Sequence, residues 1–221
     1  MEGEIMKKTK IDWCDCTLNP VVGCQRGCEY CYAKKINDRF KFVEDFAKPQ
    51  FFKRRLKQFY EKTPKTIFIN SMSDLAYWKD EWVKEVMKAV EDNPQHIFIG
   101  LTKDFRLFSS FPKNFRMGFT LDRNRENFNF DFNSTPFDFL NFEPLLGRIK
   151  LPPSFGGIKA VIIGAETGNR KGKVIPEKEW VQEIVKVADD SKCKVFMKGS
   201  LKELMGNEFR QDEDLWERGG K

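Results

Sequence analysis

The chain has 221 residues, enough to bury a substantial core, and its 39 Lys and Arg against 33 Asp and Glu give a formal charge of +6, a mild lean toward an anionic partner that an ordinary solvated surface would also show. The opening MEGEIMKKTK lacks the apolar core of a secretory signal and no apolar run approaches membrane-spanning length, which sets the expectation of a soluble, cytoplasmic protein. Six cysteines, three of them clustered, suit a reducing compartment and a metal site better than a disulfide framework.

In chain order, Lys10 to Pro20 (KIDWCDCTLNP) reads as a short strand that delivers a cysteine loop, Gly23 to Tyr32 (GCQRGCEYCY). Cys14 and Cys16, two apart, would share a face of that strand and read as small buried side chains or redox-sensitive thiols. Helix is expected from Ala33 to about Phe46, and a second, strongly basic one from Phe51 to Lys62, whose Lys53, Arg54, Arg55 and Lys57 would suit phosphates or simply water. Apolar strands and amphipathic helices then alternate: strand Lys65 to Asn70, helix Asp80 to Glu91, strand His96 to Lys103, a short helix near Phe105 to Phe108, and strands Met117 to Asp122, Phe137 to Leu146 and Lys159 to Gly168. A helix from Pro176 to about Asp189 and a last strand, Cys193 to Gly199, precede a polar tail over 201–221. The pattern predicts an α/β fold: a single domain over 1–221 with its core at about 10–200, built as a partial, TIM-barrel-like (β/α) barrel of about six parallel strands plus one extra. Two loops break the alternation, Arg123 to Pro136 (rich in Asn and Phe) and Gly168 to Lys173 (GNRKGK), and both are candidate substrate contacts.

Where the apolar strands end, polar residues recur: Asn70, Ser71, Ser73 and Asp74; Thr102 and Lys103; Thr120 and Asp122; Asn141 and Glu143; Glu166 and Thr167; Lys198. In a parallel α/β fold these positions line the functional face, which makes Lys103, Lys198, Glu143 and Glu166 candidate catalytic residues. The lysines suit a carboxylate or phosphate and the glutamates an amine or a ribose, although pairing with each other would also account for them.

The cysteine loop carries Cys24, Cys28 and Cys31 as CxxxCxxC. Three thiolates are one short of a closed structural set, and a metal centre so held keeps a position open for another molecule. Structural zinc would need a fourth ligand from Cys14, Cys16, His96 or Cys193, none at customary spacing, and Tyr32 after Cys31 excludes the c-type haem motif.

This spacing, with Tyr30 before the last cysteine, resembles the signature of the radical S-adenosylmethionine (SAM) superfamily. The ordered stretches KIDWCDCTLNPVVGC, NSMSDLAY, PQHIFIGLTK, GFTLD, FLNFEPLLG, VIIGAETG and VFMKG resemble a phage and prophage family of radical-SAM-like proteins of unassigned function. The resemblance implies that Cys24, Cys28 and Cys31 hold a [4Fe-4S] cluster and that SAM is cleaved to a 5'-deoxyadenosyl radical. It further implies that the backbone near Tyr30 and Tyr32 packs beside the adenine, that Asn70, Ser71, Ser73 and Asp74 meet the methionine amino group, that Thr120 and Asp122 approach the ribose, and that Gly164, Ala165 and Glu166 lie along the adenine or the substrate. An external one-electron donor of flavodoxin or ferredoxin type would be required. The basic segments, Arg170 to Lys173 among them, and the phenylalanines of Phe128 to Phe137 favour a nucleotide, nucleic acid or modified DNA base as substrate, for rearrangement or repair. The alternatives are a radical enzyme acting on a peptide or small metabolite, and a non-catalytic zinc module that binds nucleic acid.

Overall fold

The computed structural model describes residues 9, 11–104, 111–123 and 135–216. The expected short helix at Phe105 to Phe108 lies outside the described residues, as does most of the Arg123 to Pro136 stretch. The fold is α/β, of the partial TIM-barrel-like kind: seven parallel strands follow one another in the order β1 (Cys16–Thr17), β4 (Thr66–Phe68), β5 (Ile97–Thr102), β6 (Phe115–Thr120), β7 (Phe139–Phe142), β8 (Ala160–Ile163) and β9 (Lys194–Met197). A separate antiparallel pair joins β2 (Val21–Val22) to β3 (Gln50–Phe51). The chain divides into two compact units, 1–117 with 218–221 and 118–217.

In the first unit, β4 registers Thr66 on Ile97 and Phe68 on Ile99 of β5, and β1 registers Cys16 on Ile67. Ile67, Ile69, Phe98 and Ile99 are fully buried, as the continuous apolar runs of a covered parallel sheet require. Helix α2 (Asp80–Glu91) matches its predicted span, burying Val83, Val86, Ala89 and Val90 on one stripe with Asp80 and Glu81 in its first turn.

Three expectations change here. The opening strand shrinks to Cys16–Thr17. Helix α1 (Tyr32–Phe40) stops six residues early, because Asn37 bonds both ways with the Val43 backbone at 3.0 Å and Lys41 takes the left-handed conformation at φ 52. The basic helix is a 3₁₀ segment, Lys53–Tyr60, whose preceding Phe51 belongs to β3.

In the second unit, β6, β7, β8 and β9 are successive parallel neighbours, with Gly118 on Phe139, Phe139 on Ala160 and Ala160 on Lys194. Helix α3 (Lys178–Asp190) buries Val181, Ile184 and Ala188. Its N-cap is Glu177, so Pro176 precedes the helix rather than opening it. The tail is more than polar: after a 3₁₀ turn, Gly199–Leu201, the short α4 (Lys202–Met205) buries Met205 beside the buried Leu201. Gln211 then bridges to Phe196, while Met197 N–H donates to Arg210 O and Asp212 N–H to Val195 O, so the tail covers an edge strand that would otherwise expose its backbone. Among the described residues no helix is long and apolar enough to cross a membrane.

Candidate functional site

The cysteine loop is built on a hydrophobic floor. Val22, Ala33, Val43, Phe46 and Met72 form a buried cluster against which Cys24 and Cys31 pack. Gly23 enters the loop at φ +110, and a Cβ there would lie 2.9 Å from the Pro49 backbone, so the turn admits only glycine. Backbone bonds from Gly23 N to Met72 O and from Cys24 N to Phe46 O fix the start of the loop, and Cys31 closes it as the N-cap of α1, its Sγ accepting from Lys34 N at 3.3 Å.

Arg26, between the first two cysteines, ties this loop to the ends of β4 and β5. Its Nη2 donates to Lys103 O at 2.8 Å and to Asp104 Oδ2 at 3.1 Å, and its Nε lies 3.6 Å from Asp74 Oδ2. Asp74, 7% exposed, accepts from Thr102 Oγ1 at 2.6 Å, from Lys103 N at 3.0 Å and from Ala76 N at 3.0 Å. Tyr32 donates its hydroxyl to Ser71 O at 2.8 Å, and the Lys103 ammonium stands 5.5 Å from the centre of the Tyr30 ring. The first unit therefore gathers Cys24, Cys28, Cys31, Tyr30, Tyr32, Ser71, Asp74 and Lys103 in one neighbourhood.

Asn70 and Ser73 are committed differently. Asn70 pairs its whole amide with Leu101, donating to its O at 2.6 Å and accepting from its N at 2.9 Å, and continues the ladder beyond β4 with a side chain. Ser73 Oγ accepts from Trp78 Nε1 at 2.9 Å. Both are scaffold contacts. Of the basic run, Lys53 pairs with Glu85 at 2.7 Å, and Arg55 donates to Asn19 O and covers the Phe52 ring.

Cys24, Cys28 and Cys31 are free thiols of intermediate exposure. Burial above all pushes Cys24 up to about 11, with Asp74 and the two other cysteines adding to the rise, and burial likewise raises Cys31. Among the described residues no three Cys, His, Asp or Glu side chains converge as a metal-holding group, so the loop offers a donor set rather than a closed coordination shell. In number and softness the three thiols match the donors of a cluster that takes three protein ligands, but their side chains do not converge on one point. The set suits structural zinc poorly, since each proposed fourth ligand is engaged elsewhere. His96, 1% exposed, accepts from Lys65 N at Nδ1; Cys193 donates to Ile158 O at 3.1 Å; Cys16 is buried; and Cys14 contacts Ile11 O at 3.9 Å.

The second unit has its own polar strand ends. Thr120, Asp122, Asn141 and Glu166 are buried, and Glu143 lies 3.4 Å from Lys198. Glu166 is held by Arg170 through Nε to Oε1 at 2.6 Å and Nη2 to Oε2 at 2.8 Å, which turns part of the GNRKGK loop into a clamp. Gly164 passes beneath Glu143 and Lys198. The groove along α3, lined by Arg148, Ile149, Leu151, Glu183 and Val187, contains none of the candidate residues.

Sequence reasoning missed Arg26 and the closure of Glu166 by Arg170. The first is a pairing between distant segments, hinted at only by the charge complementarity of an arginine inside a cysteine motif with an acidic strand end; the second joins residues four apart, and its signal was the spacing of Glu166 and Arg170 itself. Residues 8–210 match a family model described as "Protein of unknown function (DUF5131)". No curated protein and no solved structure matches the chain.

Proposed function

The chain belongs to the DUF5131 family, whose description leaves the activity open, and for this member we propose a cytoplasmic radical SAM enzyme acting on a nucleotide or nucleic-acid base. The observation that carries the reading is the loop of three free, half-buried thiols on an apolar floor, fastened by Arg26 to the ends of two parallel strands. Cys24, Cys28 and Cys31 would hold the [4Fe-4S] cluster; so bound, it supplies one-electron cleavage of SAM and, through it, hydrogen abstraction from an unactivated C–H bond. The chain's own part is to position and to exclude. Tyr30 and Tyr32 offer aromatic faces beside the loop, and Lys103, against the Tyr30 ring, supplies a positive charge for a carboxylate. The apolar floor keeps water from the inner side of the cysteines. Electrons would come from an external donor of flavodoxin or ferredoxin type.

The test is anaerobic reconstitution with iron and sulfide, reduction with dithionite, and assay for 5'-deoxyadenosine after addition of SAM. Formation by the parent and loss in Cys28→Ala, together with loss of its iron and sulfide, is the expected result. Tight zinc with no iron-sulfur assembly would sink the reading.

A further inference from the structure

Helix α1 leaves the cysteine loop and ends in a corner that the fold braces. Asn37, 1% exposed, donates to Val43 O and accepts from Val43 N, both at 3.0 Å, and Lys41, left-handed at φ 52, donates its N–H to Asn37 O at 2.7 Å. Val43 and Phe46 turn inward onto the floor of the cysteine loop, while Phe40 and Phe42 are 57% and 45% exposed. The two exposed rings meet, their centres 5.9 Å apart at 31°, and the Arg39 guanidinium stands 5.1 Å from the centre of the Phe40 ring. Scattered exposed aromatics need no explanation, but a touching pair on a braced corner, with a third exposed ring, Tyr32, at the helix start, does. The charge around them is positive. Lys34 pairs with Asp38 and Lys48 with Asp45, whereas Lys35, Arg39 and Lys41 are exposed and form no ion pair among the described residues, against one exposed carboxylate outside those pairs, Glu44. Lys35 and Arg39, four apart on α1, share one side of it.

We propose that this corner is a docking surface for single-stranded nucleic acid: Phe40 and Phe42 stack on unpaired bases, and Lys35, Arg39 and Lys41 answer the phosphates that join them. The surface rests on the nucleic-acid half of the proposed function and not on its radical half. Other occupants fit it less well. An acidic peptide would use the cations and leave the two ring faces in water. A lipid surface takes the broad apolar face of an amphipathic helix, and α1 has already turned Ala33 and Ile36 onto the core cluster. A second copy of the chain would bring the same cations face to face. A duplex keeps its bases stacked on one another and offers the rings little. Phe40 is nine residues beyond Cys31, the N-cap of α1, and at 1.5 Å per residue that is about 13 Å. A strand stacked at the corner therefore runs within a few nucleotides of the cysteine loop.

The experiment is fluorescence anisotropy of the full-length protein with a labelled oligothymidylate of about twelve nucleotides, titrated over a series of salt concentrations. The strand binds, and its duplex with oligoadenylate binds more weakly. Phe40→Ala and Phe42→Ala each weaken binding about tenfold and leave the salt slope unchanged, as the loss of one stacked base requires. Lys35→Gln combined with Arg39→Gln makes the slope of log K against log salt shallower by about 1.4, the share of two phosphates on a single strand. All four side chains are exposed, so these variants melt with the parent, and Lys202→Gln, a cation of the other unit, matches the parent in affinity and slope. No binding of the strand, equal binding by both phenylalanine variants, or an unchanged slope in the double variant would overturn the proposal. So would capture of phosphatidylserine vesicles in preference to the strand, or, in place of strand binding, a dimer in sedimentation that Phe40→Ala dissolves. Cys28→Ala separates the two readings: it should lose iron and sulfide and keep the strand. Strand binding without 5'-deoxyadenosine formation retains the surface and defeats the radical reading; 5'-deoxyadenosine formation without strand binding does the opposite.

Discussion

In the first unit the polar residues that end β4 and β5 consume one another. Asn70 is matched to Leu101, and Asp74 takes donors from Ala76, Thr102 and Lys103 with Arg26 alongside. In the second unit the ends of β7, β8 and β9 carry residues of the same kind: Arg170 takes both oxygens of Glu166, Glu143 lies 3.4 Å from Lys198, and Asn141 Oδ1 is buried with no donor among the described residues. Both sets are mostly buried. Each unit thus closes its strand ends in its own way, the first through one hub on Asp74 and the second through the Glu166–Arg170 and Glu143–Lys198 pairs, while each keeps a buried polar atom without a hydrogen-bond partner among the described residues, Arg26 Nε and Asn141 Oδ1.

The sharpest way to break this contrast is Asp74→Ala. It removes the acceptor of both the Thr102 hydroxyl and the Lys103 amide and the negative charge 3.6 Å from the buried Arg26 Nε, and a loss of about 3 kcal/mol or more is expected. A urea midpoint well below that of the parent, with impaired iron and sulfide uptake as the cysteine loop loosens, is the outcome to measure. An unchanged midpoint would mean that the hub does not hold the loop.

Next in size is the pair of glutamates. Glu166→Gln removes the charge that Arg170 clamps in two places, at side-chain exposures of 4% and 18%, and should cost about 2 kcal/mol. Glu143→Gln, at the looser and more open contact, should cost less than about 1 kcal/mol. Thermal melts of the two variants side by side test the ranking. If Glu143→Gln is the more damaging, the Glu143–Lys198 contact holds the fold more firmly than its 3.4 Å separation implies.

Much of the fold was legible in the chain because it rests on periodicity. The apolar runs of β5, β7 and β8 and the helical stripes of α2 and α3 carry their signal within a dozen residues. The departures came from local bonds that override propensity: Asn37 capturing the Val43 backbone ended α1 early, and Leu201 with Met205 gave a polar-looking tail its anchor. For the site, the spacing of Cys24, Cys28 and Cys31 and the position of Glu143, Glu166 and Lys198 at strand ends were visible in the sequence. How the strand ends are tied together was not, since Arg26 with Asp74 and Gly164 beneath Lys198 are long-range pairings that no window of sequence contains.

The smallest expected effect concerns His96, a buried polar residue of the first unit whose Nε2 has no hydrogen-bond partner among the described residues. It is 1% exposed, its Nδ1 accepts from Lys65 N at 3.1 Å, and its ring meets Phe98 edge to face. Burial, the dominant cause, lowers its pKa from the ordinary value of 6.5. The unfolded chain therefore binds a proton at a pH where the folded chain still refuses it, so between 6.5 and the lower folded value stability falls as pH falls, and above about 6.5 this contribution is fully present. His96→Gln keeps an acceptor for the Lys65 amide but cannot titrate. Its offset at pH 8 matters less than its slope: the melting temperature of the parent should decline more steeply than that of the variant as the buffer is taken from pH 7 to pH 5. Parallel curves would show that His96 is accessible to protons in the folded chain, and that burial on this side of the comparison is less complete than its contacts imply.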